Sequence, residues 1–559
     1  MLNRRIRLIF LAVLVCALSI GFAYMSGAIL RLSAKAPRAS NGNFAQTAPA
    51  NNALANSVVN VVATAQGVRR SLPTDLMCFN VNSVQIPSWQ DPQFISATNR
   101  LSPKILRIPG GEVANYWDWQ RGGIVEDGEP LLKALPDGLP EYMRYEARSH
   151  TASTIENYAA GLAATNTQAL FVLNMLTSDL GEQIDMLSAA ARAGIEIKYL
   201  ELGNEYYFGI PNYAHKFPTP EAYGEEAKVW ISYLRDIFPD IEIAVFGVAP
   251  KAQSSPRELR WNQALLETAL PEADAIALHL YPGHGLDPNG FSDSGYPAFD
   301  ENDFSTIFGE PFRSWQALRD RHTYDLIPAD KEIWITEFNL MEDIFGDNAN
   351  RYPRVMGTWG HGLYAIAMNL TFLEEPRITM ACNHDLVENF KFGAILPHNN
   401  SFEISAQQSY PVEPMSLSAT GQALGMLAKS MNQMETTQSI TFSSSSSSEL
   451  PIMANKDGDS YLALQGWAFS QQDSTHPSAA IILNLSDKII QLSLSDIAEP
   501  NQKGRYQQLS SDPRTLVTNN AALNVRSGTL QESASQTGKQ TGGAAITLAP
   551  HSVTQLELE

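Results

Sequence analysis

Between residues 75 and 385 the chain repeats one pattern eight times, a short apolar run followed by an amphipathic stretch. The runs fall at 76–84, 105–111, 169–176, 197–205, 242–250, 275–282, 332–340 and 378–385. Helical periodicity fills the intervals, as at 180–193, 220–237, 256–270, 311–322 and 357–374. Strands that alternate with helices must pair in parallel through right-handed crossovers. Eight such units predict an α/β fold of the (β/α)8 TIM-barrel type rather than an open sheet.

The flanks read differently. Beyond a further helical stretch at 416–434, polar and apolar residues alternate at 461–469, 479–486, 488–497 and 552–559, which predicts an accessory C-terminal antiparallel β-sandwich. The Ser443–Ser448 run precedes these strands, and the Gln/Ser/Thr/Gly stretch at 531–543 reads as a loop among them. Residues 58–65 also read as a strand, one that joins the sandwich before the chain enters the barrel. Arg4, Arg5 and Arg7 stand before an uncharged run from Leu8 to Leu30, a basic head on an apolar segment long enough to span a bilayer. The expected organisation is therefore a signal peptide or signal anchor over 1–32, with an uncleaved anchor favoured, and a flexible linker over 33–56. A sandwich strand over 57–74, the barrel over 75–434 and the β-sandwich over 435–559 complete it. Either reading of the N-terminus exports the rest, leaving it membrane-anchored on the extracytoplasmic side or, if cleaved, secreted or periplasmic.

Charge and cysteine content narrow the function. Lys and Arg total 39 against 59 Asp and Glu, a formal charge of −20. That balance, with no basic stretch in the body to offset it, argues against a nucleic-acid partner. Three cysteines exclude both a disulfide-stapled scaffold and a metal site built from four thiolates. Cys78 and Cys382, both in the exported part, either pair or stand as two buried thiols.

Barrel chemistry belongs at the C-terminal ends of strands. The fourth strand ends Leu202-Gly203-Asn204-Glu205 and the seventh ends Thr336-Glu337-Phe338-Asn339. Strands three places apart in a ring of eight face each other across the mouth, so these two carboxylates flank one bond, the arrangement glycoside hydrolysis requires. With the Asn204-Glu205 pair and Glu337 in these places, the chain resembles the clan A glycoside hydrolases. The trailing sandwich is similar to that of the α-L-arabinofuranosidase and heparanase/β-glucuronidase branches. The resemblance implies Glu205 as acid/base, Glu337 as nucleophile, and retention of configuration with carboxyl groups ~5–5.5 Å apart. Glu205 must then start protonated and Glu337 ionised. No cofactor is implied and no metal; a metal-dependent hydrolase would want histidines where Asn80 and Asn82 stand.

The other strand ends supply candidate contacts. His279 and Tyr281 share a face of the sixth strand. The resemblance implies that Tyr281 orients Glu337, while His279 either serves the site or is a hydrogen-bonded core histidine. Arg107, in the Arg107-x-x-Gly110-Gly111 stretch on the second strand, either holds Glu337 or Glu205 in its charge state or forms a structural ion pair with Glu201. Gly110 and Gly111 would let the backbone approach a sugar. Trp117 and Trp119 are either stacking platforms or loop-core residues. Asn80 and Asn82 on the first strand, and Asn383 and His384 on the eighth, suit sugar hydroxyls. The acidic loop from Pro282 to Asp303 either roofs the subsites or is a solvated insertion. The expected activity is that of a retaining glycoside hydrolase on extracytoplasmic oligo- or polysaccharide, arabinofuranosidase-like or glucuronidase-like. The alternative is a non-catalytic carbohydrate-binding or cell-surface structural protein on the same barrel. The sugar and the oligomeric state are left open.

Overall fold

The computed structural model describes residues 58–559 apart from 66, 142, 145–151, 251–253, 282–303, 306, 313–325, 341–354, 388–391, 398–400, 406–407, 445–448, 455–459, 499–501 and 533–543. The expected signal or anchor over 1–32, the linker over 33–56 and the acidic loop at 282–303 lie outside the described residues, as do most of the serine run and most of the 531–543 loop. Among the described residues no helix is long and apolar enough to cross a membrane.

Eight parallel strands close into a barrel: Met77–Asn80, Ile105–Ile108, Gln168–Val172, Tyr199–Glu201, Glu242–Phe246, Ala275–Leu280, Glu332–Phe338 and Ile378–His384. Each matches an apolar run of the sequence, the third beginning one residue earlier at Gln168. A barrel strand is covered by helices outside and by other strands' side chains inside, so it is apolar on both faces and reads as a continuous run. The helices between them begin on side-chain caps. Asp91, Thr154, Asp179, Thr219 and Ser255 each accept from a backbone N–H of the first turn, and Ser255 with Glu258 forms a reciprocal capping box.

The C-terminal strands differ from the expected pair of stacked antiparallel sheets. They form one 11-stranded sheet whose order runs without a break. The strand Val58–Ala65 sits inside it, antiparallel to Thr436–Ser444 but parallel to Ile489–Asp496. The sheet encloses its own core, including Val61, Phe442, Leu464, Ile482, Ile490, Leu492 and Leu556. Alternation along a strand reports which residues point inward, and that is the same whether a sheet curls upon itself or meets a second one. The fully buried helix Trp359–Phe372 links the two parts, with the Trp467 indole donating to the Leu370 carbonyl and that of Trp359 to the His551 carbonyl.

Candidate active site

The strand ends deliver a connected cluster of charged and polar groups to the barrel mouth. At its centre is Arg107, wholly buried on the second strand. Its Nε donates to Glu201 Oε2 at 2.6 Å, Nη1 to Glu337 Oε1 at 2.7 Å and to Asn80 Oδ1 at 2.9 Å, and Nη2 to Asn204 Oδ1 at 2.7 Å. Of the roles open to Arg107, the structure thus combines the ion pair with Glu201 and the hold on Glu337. It makes no bond to Glu205.

Glu337 is held at both oxygens. The Tyr281 hydroxyl donates to Oε2 at 2.7 Å, opposite Arg107 on Oε1. Burial opposes ionisation of this carboxyl, but His279, His384 and Arg107 together with the Tyr281 bond outweigh it and hold its pKa down at about 2. Burial and the Glu337 charge raise the Tyr281 pKa well above the usual range, so its hydroxyl stays a donor.

Glu205 lies just beyond the fourth strand with φ +56°, a left-handed conformation that costs a non-glycine residue of order 1 kcal/mol. Its Oε1 receives the Tyr207 hydroxyl at 2.9 Å and meets His279 Nδ1 at 2.7 Å. The pairing of the sixth and seventh strands slips by one residue after Leu278, and this sets His279 opposite Glu337 rather than Thr336. His279 Nε2 meets Thr336 Oγ1 at 3.1 Å, and Thr336 passes its own hydrogen to Glu201 Oε1 at 3.1 Å. Burial disfavours the imidazolium, but the charge of Glu337 and the bond to Glu205 prevail and raise the His279 pKa. A ligating atom from each of Glu205, His279 and Glu337 lies within 4.8 Å of the others, and among the described residues these alone are close enough to share a cation.

Several candidates take other roles. Gly110 and Gly111 answer to protein neighbours: a Cβ on Gly110 (φ +125°) would lie 2.4 Å from the Val81 carbonyl oxygen, and one on Gly111 would lie 2.4 Å from Glu337 Oε1. The space they leave is filled by the first strand and by the carboxylate. Trp117 is buried against Tyr158, and Trp119 is half-buried against the barrel core, so the former offers no open indole face. Asn383 is buried with neither side-chain polar atom paired among the described residues, one residue out of phase with His384. Asn82 is likewise buried, its Oδ1 unpaired among the described residues. Neither joins the cluster. Asn80 and His384 do, meeting at 2.6 Å, with His384 Nδ1 at 3.8 Å from Glu337 Oε2. Tyr207 and Thr336 were not foreseen as site residues, and Glu201 only as a structural ion-pair partner of Arg107. Tyr207 and Thr336 had no signal beyond their nearness in sequence to Glu205 and Glu337.

The eight-stranded parallel barrel with its accessory sheet is a fold shared with solved glycosidases. No family model and no curated protein matches the sequence itself. Among solved structures, an arabinofuranosidase superposes with a TM-score of 0.60 at 16% identity, covering 89% of this chain and 100% of that one. A family 51 α-L-arabinofuranosidase from Bifidobacterium longum gives 0.61 at 15% identity, over 90% and 99% of the two chains. A 4-O-α-L-rhamnosyl-β-D-glucuronidase from Fusarium oxysporum 12S gives 0.52 at 12% identity, over 90% and 100%.

Proposed function

We propose that this chain is a retaining glycoside hydrolase in which Glu337 is the nucleophile and Glu205 the acid/base. The observation that carries the reading is the closeness of the two carboxylates. Their oxygens come within 4.8 Å across the mouth. Inverting enzymes hold their carboxyl groups roughly 6.5–9.5 Å apart to admit a water, whereas retaining enzymes hold them at about 5–5.5 Å.

The surroundings suit the two roles. Arg107 and Tyr281 keep Glu337 ionised and aim both its oxygens. Glu205 Oε1 takes the Tyr207 hydroxyl and meets His279 Nδ1, which leaves Oε2 free to face the departing oxygen. Glu337 attacks the anomeric carbon while Glu205 protonates the departing oxygen, and the C–O bond to the leaving group breaks as the ester to Glu337 forms. Glu205, now ionised, takes a proton from water, and that water displaces Glu337 to release the sugar.

Among the described residues, the cations of the cluster are engaged with protein groups, which favours a neutral glycone such as an arabinofuranoside. Arg107 is fully buried and spends its donors on protein groups, so it has none to offer a uronic carboxylate. His279 is likewise engaged at both nitrogens. Action outside the cytoplasm is supported by the basic, apolar N-terminus and by the disulfide joining Cys78 to Cys382, a bond that persists in oxidising compartments. A panel of nitrophenyl glycosides tests the reading, with product configuration followed by NMR. Hydrolysis with retention, abolished in Glu337→Gln, is expected; inversion, or turnover unchanged in that variant, overturns it.

A further inference from the structure

We propose that His384 is a neutral hydrogen-bond donor to the glycone, its tautomer fixed by a relay from Arg107 through Asn80. The inference rests on the glycosidase reading and adds a contact chemistry to it.

The relay begins with a group that can only donate. Arg107 Nη1 bonds Asn80 Oδ1 at 2.9 Å, so the amide must turn its oxygen toward the guanidinium and its NH2 away. That NH2 meets His384 Nδ1 at 2.6 Å. An amide nitrogen has no lone pair to offer, so Nδ1 is the acceptor and the single ring proton resides on Nε2. Protonating Nδ1 would force the amide to reverse and set its NH2 against the guanidinium. Burial also disfavours the charged ring, and this prevails over the opposing pull of Glu337 to lower the His384 pKa.

The ring is held on its other sides. Tyr281 and Phe392 meet it edge-on, with centroids at 6.0 and 5.7 Å. Asn339 Nδ2 donates to the His384 carbonyl, and Asn339 Oδ1 is bonded by His361 Nε2 at 2.6 Å. His361 accepts at Nδ1 from the Gly357 N–H and is kept neutral by burial, with a pKa of about 3. It therefore donates from Nε2, and the whole chain has one consistent set of hydrogens.

What this leaves is the Nε2–H of His384. It has no acceptor among the described residues, the side chain is 12% exposed, and the ring adjoins the nucleophile through its other nitrogen, Nδ1, at 3.8 Å from Glu337 Oε2. An oriented N–H on a ring that adjoins the nucleophile, with no protein acceptor, is completed by an oxygen of the sugar bound there. Being uncharged, it suits a hydroxyl better than a carboxylate.

Two measurements test this. The first is kinetic, using nitrophenyl α-L-arabinofuranoside (or whichever nitrophenyl glycoside the wild type cleaves fastest) and its monodeoxy analogues. His384→Phe, which keeps the ring contacts, should lose 10- to 100-fold in kcat/KM on the parent glycoside. On one deoxy analogue it should lose nothing further, and His384→Gln should recover part of the parent rate. Equal losses on every analogue, or no loss at all, overturn the proposal and leave the glycosidase reading standing. Failure of the wild type on the whole panel overturns both. The second is the imidazole ¹⁵N spectrum, assigned by difference against His384→Phe. A proton on Nε2 throughout pH 5–8 is expected; a proton on Nδ1, or titration within that range, overturns the relay.

Discussion

Gly111 stands against Glu337 so closely that a single added methyl group would lie 2.4 Å from the carboxylate's Oε1. The nearest atoms beyond it are the Glu337 carboxyl carbon at 3.5 Å and Arg107 Nη1 at 3.8 Å. Alanine at 111 therefore meets the reacting carboxylate rather than backbone. Gly111→Ala should displace Glu337 and cost about 100-fold in kcat, in line with an ångström of misplacement. Its unfolding midpoint should stay near that of the wild type. Steady-state kinetics beside thermal unfolding checks this, and a parallel fall of both would point to general damage instead.

Tyr281→Phe deletes one of the bonds that favour the charged form of Glu337. Losing a donor to the carboxylate favours the neutral acid, so the Glu337 pKa must rise from about 2. The acid limb of kcat/KM should move to higher pH in the variant while the alkaline limb stays in place. Stability follows the same sign. A carboxyl whose folded pKa lies below its unfolded value of roughly 4.3 contributes stability that is full above that value and fades as pH falls toward 2. Denaturation between pH 5 and pH 2 should show a shallower dependence in Tyr281→Phe than in the wild type.

The cross-strand pairings mark where sequence reading stopped. The eight barrel strands were legible because each is buried on two faces, and Glu205 and Glu337 because strand position alone set them across the mouth. Which glutamate Arg107 would take was not legible. Glu201 and Glu205 are four residues apart, and the choice depends on where the fourth strand ends and on the left-handed turn at Glu205. The meeting of His279 with Glu205 depends on a one-residue slip after Leu278 that leaves no local signature. The packing of Gly110 against Val81 and of Gly111 against Glu337 was not legible either, since a missing side chain does not reveal which neighbour occupies its space.

Arg107 and Glu201 differ in what their removal leaves behind. Arg107→Met strands two buried carboxylates, Glu201 and Glu337, and should cost about 3–5 kcal/mol or prevent folding. Glu201→Gln keeps an acceptor for the guanidinium and leaves Arg107 paired with Glu337, so its cost should be smaller. Urea denaturation at neutral pH gives the order, and a larger loss in Glu201→Gln would refute this account of the cluster.

Cys78 and Cys382 join the first barrel strand to the eighth at directly paired positions, 304 positions apart in sequence. Both side chains are buried, so a reductant should not reach the bond while the barrel is closed. Thiol counting should find the bond intact after incubation with reductant under native conditions and lost once denaturant is added. Replacing both cysteines by alanine should cost about 2–5 kcal/mol. Asn80 and His384 follow the two cysteines by two residues each, and side chains two apart share a face. The bond therefore fixes the strands that hold the Asn80–His384 contact beside Glu337. The double variant should lose kcat as well as stability, and by more than a destabilisation of the same size placed in the C-terminal sheet, for which Ile482→Ala serves as the control.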